Sequence, residues 1–175
     1  YTDPEIMEMA LERGDTDLIA VGRQSIADPD FAVKLENGEL EEIVPCLSCG
    51  QRCQGHANRK KLPAGDVTCV SCMLNPFSNG RLKRIPARQK KKVAVVGGGP
   101  AGLEAAWVAA SRGHEVVLFE RNSEDELGGQ LRIASYPPFK HDLIRGLKYL
   151  LYMCRKYGVR IRCGTDATEA LIRKE

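Results

Sequence analysis

The chain has 175 residues, with 26 Lys and Arg against 23 Asp and Glu, for a formal charge of +3. That charge argues for no polyanionic partner, and a hydrophobic content of 43% is ample for a packed core and argues against disorder. No apolar run approaches the roughly 18 residues of a membrane span; there is no basic-plus-apolar leader, and the seven cysteines point to a reducing cytoplasm.

The chain opens on Tyr1, in what reads as the middle of a helix-bearing unit, so we expect an internal stretch of something longer. Pro4 to Arg13 places Ile6, Met7, Ala10 and Leu11 at helical spacing behind a proline start, with Gly14 as the stop. Asp17 to Val21 is a short continuous apolar run, the pattern of a strand buried on both faces of a parallel sheet. Asp28-Pro29-Asp30 then opens a helix to about Asn37-Gly38. Two such elements cannot close a parallel sheet alone, so residues 1–40 either borrow a partner or form the last turn of a barrel. Gly22-Arg23 directly follows the strand, where barrel enzymes bind phosphate, and a guanidinium suits a flavin mononucleotide phosphate. The plain alternative is an arginine paired with a nearby carboxylate.

Residues 41–80 hold Cys46, Cys49, Cys53, Cys69 and Cys72 with little periodicity, which fits loops organised around a bound group. Cys46, Cys49, Cys53 and Cys72 are spaced C-x2-C-x3-C-x18-C. Thiolates this close, without a secretory signal, hold a metal or an iron–sulfur cluster more often than they form disulfides. Two zinc knuckles, Cys46-x2-Cys49 and Cys69-x2-Cys72, remain open on spacing, although the three-cysteine loop is the more natural cubane ligand set. Residues 81–92 (RLKRIPARQKKK) read as a solvated basic linker broken by Pro86, rather than a nucleic-acid patch.

From Lys92 the pattern becomes regular. Val93 to Val96 predicts a buried strand, Gly97 to Gly102 a tight turn, Leu103 to Ser111 a helix, and Glu115 to Phe119 the next strand. A helix over about His141 to Lys156 and a strand over Val159 to Cys163 follow, and the chain ends in a predicted helix. In Gly97-x-Gly99-x-x-Gly102, Gly97 permits the turn, Gly99 admits a pyrophosphate, and Gly102 lets helix and strand approach. The helix N-terminus, at Pro100-Ala101, offers free N–H groups to the phosphates, and Glu120 at the strand's end can accept from a ribose. Acidic Glu120 favours FAD or NAD over NADP here. Gly128-Gly129-Gln130-Leu131 fits backbone approaching an extended flavin dinucleotide, with a surface turn as the alternative. Cys154, Cys163 and Trp107 read as packing residues, and His56, His114 and His141 as solvated.

The motifs DLIAVGRQSIADPDFAVK, PCLSCGQRC, CMLNP, VAVVGGGPAGLEAA and LGGQL, in that order, resemble the old yellow enzyme-like NADH:flavin oxidoreductases with fused cluster and FAD domains. That group includes 2,4-dienoyl-CoA reductase, trimethylamine dehydrogenase and enoate reductases. The resemblance implies an α/β chain made of three parts. These are the FMN-phosphate end of a TIM barrel (1–40, Gly22 and Arg23), a 4Fe-4S segment (41–80), and, after the 81–92 linker, the first part of a Rossmann-like FAD-binding domain (93–175). It implies Cys46, Cys49, Cys53 and Cys72 as cluster ligands; Cys72 is chosen over Cys69 because the family's fourth ligand stands two residues before Asn-Pro. It further implies that Gly97, Gly99, Pro100, Ala101, Gly102, Glu120, Gly129, Gln130 and Leu131 bind FAD. Electrons would pass from NAD(P)H through FAD and the cluster to FMN, and on to an activated enoyl or dienoyl C=C bond of a small molecule. Amine-dehydrogenase flow towards the cluster, a glutamate-synthase small-subunit-like relay and a zinc-bearing binding fragment are the rivals. Two departures stand out: an extra stretch over residues 55–66, and a Glu120–Gly128 interval about two residues longer than the family's. The earlier barrel strands, with the residues that protonate substrate, and the NAD(P)-binding insertion are not in this sequence.

Overall fold

Cys46, Cys49, Cys53 and Cys72 fall in one half of the chain and the glycine motif in the other. A computed structural model describes residues 2–54 and 70–175, and its chain forms two units, Tyr1–Lys83 and Arg84–Glu175.

In the first unit, helix α1 (Pro4–Glu12) starts where proline fits the first turn, and the Asp3 side chain accepts from the Glu5 N–H at 3.1 Å. Two short helices follow, α2 (Arg23–Ala27) and α3 (Phe31–Glu36), then a 3-10 turn, Leu40–Glu42. Met7 of α1, Phe31 of α3 and Ile43 form the core, with Ile19, Val21 and Leu35 packed on it. The expected strand over Asp17 to Val21 is not formed, and Leu18 is 85% exposed. A parallel strand exists only against a neighbour, and no described segment of this unit supplies one. Helix α2 occupies what sequence reads as a turn, and the helix expected from Asp28 begins at Phe31.

The second unit is regular. Strands β1 (Lys92–Val96), β2 (Glu115–Phe119) and β3 (Arg160–Arg162) form a parallel sheet in the order β1-β2-β3, with Val93 beside Val116 and Leu118 beside Ile161. Helices α4 (Pro100–Ser111), α5 (Gly129–Ala134), α6 (Asp142–Lys156) and α7 (Glu169–Lys174) complete it. Leu103 and Ala106 of α4, Leu147 and Leu150 of α6, and Leu118 and Phe119 of β2 are almost wholly buried. Chain order strand–helix–strand with all strands parallel makes this an α/β unit. Among the described residues no helix is long and apolar enough to cross a membrane.

Candidate functional site

The glycine turn is built from backbone. Gly97, at φ +101°, turns the chain out of β1 while its N–H still donates to the Phe119 carbonyl at 2.8 Å. A Cβ on Gly102 would lie 1.9 Å from the Gly97 carbonyl oxygen, so α4 can begin this close to β1 only with glycine there. Gly99, by contrast, faces open space, and it forms the N-cap of α4 with no side chain capping the helix. The first-turn N–H groups that follow Pro100 thus stand at a backbone cradle, where a helix terminus favours an anion.

The second glycine pair closes onto the first. Gly128 N–H donates to the Gly98 carbonyl at 2.8 Å, and a Cβ on Gly129 would lie 3.7 Å from the Gly99 Cα. Beneath Gly128 sits Leu147, whose Cδ2 would be 2.4 Å from an added Cβ. Gly129, Gln130 and Leu131 open α5, with Gln130 exposed. The Arg132 guanidinium holds the turn from the far side, Nε donating to the Leu127 carbonyl at 2.7 Å.

Glu120 follows β2 and reaches back to this turn. Its Oε2 accepts from the Gly98 N–H at 2.6 Å and its Oε1 from the Asn122 N–H at 2.9 Å. The Asn122 and Gly98 N–H groups, with a smaller contribution from Arg121, hold its carboxyl below the usual range against the opposing effect of partial burial. Gly98, Leu147 and Arg132 escape the fingerprint because their roles appear only once strand, turn and helices are assembled.

In the first unit Cys46, Cys49, Cys53 and Cys72 line one cavity of about 330 Å3, including its solvent-open part. Arg23, Gly50, Arg52 and Met73 share its wall. Among the described residues no group of three Cys, His, Asp or Glu is close enough to hold a single metal ion. Buried amides set their loops. Gln24 is fully buried, its Nε2 donating to the Val44 carbonyl at 2.8 Å and its Oε1 accepting from the Cys46 N–H at 2.8 Å. Asp28, 2% exposed, accepts from Val44 N–H and from Lys34 Nζ at 2.8 and 2.7 Å. Asn75 donates to the Ala27 carbonyl at 2.8 Å, and Ser78 Oγ accepts from the Cys72 N–H at 2.9 Å. The Cys72 thiol is pushed up mainly by burial, with Asn75 and Leu74 N–H groups pulling the other way. Ser48, between the first two cysteines, takes a left-handed φ of +54°, as does Gly50 at +62°. A donor set of four cysteines lining one cavity fits an iron–sulfur cluster. Cys69, His56 and the extra stretch over 55–66 lie outside the described residues.

Residue Gly22 precedes α2 and Arg23 begins it, and the Arg23 wall position puts it beside the cysteines. Two readings of bland residues change in detail, those of His114 and the basic stretch, while Trp107 and Cys154 pack as expected. His114 is partnered, its Nδ1 accepting from the Lys91 N–H at 3.2 Å. Part of the basic stretch is bound to the second unit: Arg84 stacks over Trp107 at 5.5 Å and donates to the Tyr157 hydroxyl at 3.1 Å, and Arg112 Nε donates to the Ile85 carbonyl. Trp107, 2% exposed, also stacks on Tyr157 and donates to Glu104. Cys154 is buried, its thiol pushed up to about 12 by burial and the nearby Glu104, so it is unreactive.

Strand, glycine turn, helix and a second glycine turn define a flavin-type oxidoreductase segment, and residues 92–167 match the FAD dependent oxidoreductase family. The whole chain aligns with larger enzymes. A bilirubin reductase of Mediterraneibacter gnavus is 42% identical over 98% of this chain and 26% of its own length. A cinnamate reductase of Clostridium sporogenes is 38% identical over 98% of this chain and 25% of its own. A solved 2-naphthoyl-CoA reductase in complex with 2-naphthoyl-CoA superimposes with a TM-score of 0.85 at 31% identity, over 99% of this chain and 26% of that one. The chain spans about a quarter of the length of these relatives. Over nearly its whole length the chain is thus similar to larger reductases, and residues 92–167 to FAD dependent oxidoreductases.

Proposed function

We propose that this chain is the cluster- and FAD-holding stretch of an enzyme that moves electrons between NAD(P)H and an activated C=C bond of a small molecule. Cys46, Cys49, Cys53 and Cys72 would hold a 4Fe-4S cluster, and Gly22-Arg23 the phosphate of FMN. Gly97, Gly99, Pro100, Ala101, Gly102, Glu120, Gly129, Gln130 and Leu131 would hold FAD, in a Rossmann-like domain. The observation that carries this reading is the single cavity lined by all four cysteines, drawn from two separate stretches of chain.

When bound, such groups supply hydride transfer at the flavins and one-electron passage at the cluster. This chain's own residues do the holding. Gln24 and Asn75 fix the Cys46 and Cys72 loops to α2. The uncapped start of α4 offers N–H groups to a pyrophosphate, while Gly99 leaves the space for it. Glu120, kept ionised, is a permanent acceptor for ribose hydroxyls next to that turn. The similarity to a bilirubin reductase and a cinnamate reductase supports the reductive direction.

Anaerobic purification tests the reading. A brown protein with about four iron and four sulfide per chain is the expected result. A colourless protein with one zinc per chain would overturn it in favour of a structural zinc site.

A further inference from the structure

Arg52 stands between Cys49 and Cys53 and contributes to the wall of the cysteine cavity. Its Nε donates at 3.0 Å to the Oγ of Ser71, which is 5% exposed and directly precedes Cys72. One side chain therefore bridges the loop of the second and third cysteines to the stretch that carries the fourth. We propose that Arg52 is a positioning and potential-setting residue for the cysteine-held group. This rests on the cluster reading above.

The physical reason is charge. Four thiolates around a cluster make an anionic assembly, and each added electron makes it more so. The Arg52 guanidinium puts a positive charge in the wall beside that assembly. Net charge and hydrogen bonding around the sulfurs set the potential of such groups. Ser71 takes one of the five guanidinium N–H donors and fixes the side chain's direction. Arg23 lines the same wall and adds to the field there. Reduction here is the transfer of one electron from an external reductant such as dithionite to the cluster, with no bond made and no proton required.

The test is an EPR-monitored potentiometric titration, with dithionite as reductant, of the intact holoprotein and of its Arg52→Gln and Arg52→Lys variants, alongside iron and sulfide analysis. Arg52→Gln is expected to lower the electron affinity of the cluster about tenfold, a fall of about 59 mV for a one-electron couple. Arg52→Lys keeps the charge and is expected to stay near the parent value. An unchanged potential in Arg52→Gln overturns the proposal. If Arg52→Gln loses its iron, Arg52→Lys decides: a parent-like potential supports the charge role, and a shifted potential or lost iron overturns it. Zinc in place of iron in the parent protein would instead sink the cluster reading itself, and the iron analysis separates the two failures.

Discussion

The two units make their sites by opposite means. In Arg84–Glu175 a parallel sheet and long helices carry an apolar core, and the site is bare backbone: glycines, N–H groups and one carboxylate. In Tyr1–Lys83 the helices beyond α1 have six residues or fewer, and the site is made of side chains hung on loops. Those loops are held by the buried amide of Gln24, the half-buried amide of Asn75 and the buried carboxylate of Asp28. A backbone site needs a rigid scaffold and fails when atoms are added. A side-chain site on loops needs its polar clamps and fails when atoms are removed.

The sharpest break in this contrast is addition at Gly102. In Gly102→Ala the new methyl meets the Gly97 carbonyl oxygen at 1.9 Å, and backbone on both sides leaves little room to yield. The expected cost is about 3 kcal/mol, together with loss of FAD retention, because helix start and turn must separate. Denaturant unfolding and flavin content after gel filtration check this. A stable variant retaining full flavin would mean that the turn is softer than a scaffold-built site requires.

Removal at Gln24 is the matching break in the other unit. Gln24→Ala leaves the Val44 carbonyl and the Cys46 N–H without partners in a buried place, for an expected loss of about 2 kcal/mol. Asn75→Ala, at a half-buried bond, is expected to cost about 1 kcal/mol. Both should reduce iron content more than flavin content, whereas Gly102→Ala should do the reverse. Parallel loss of both groups in all three variants would erase the contrast.

The difference also explains what was legible in the sequence. Short apolar runs and helical spacing marked β1, α4, β2 and α6, because each of those elements finds its partners within the same stretch. The Gly97, Gly99 and Gly102 spacing could be read because each position answers to a separate local steric demand. Asp17 to Val21 misled, since an apolar run states a preference that only a neighbouring strand can realise. Helix α2 was hidden because Gly22-Arg23-Gln24-Ser25 has turn composition and the helix is only five residues long. Gln24 and Asp28 look like ordinary surface polar residues; their burial is a property of the assembled loops. The Glu120 bond to Gly98 joins residues 22 positions apart and leaves no periodic trace.

Glu120 gives the finest distinction, since it is the carboxylate that reaches into the backbone site. Its carboxyl is held below the ordinary range by the Asn122 and Gly98 N–H donors. A group with a depressed folded-state value contributes stability that is fully present above its unfolded value, about 4.3 for Glu, and lost as pH falls through the folded value. Glu120→Gln keeps an acceptor oxygen but gives up the charge. The parent protein is therefore expected to exceed the variant slightly in denaturant midpoint at pH 7, with the gap closing below about pH 4. A gap that persists unchanged in acid would show that the geometry of the acceptor, and not its charge, ties Glu120 to the glycine turn.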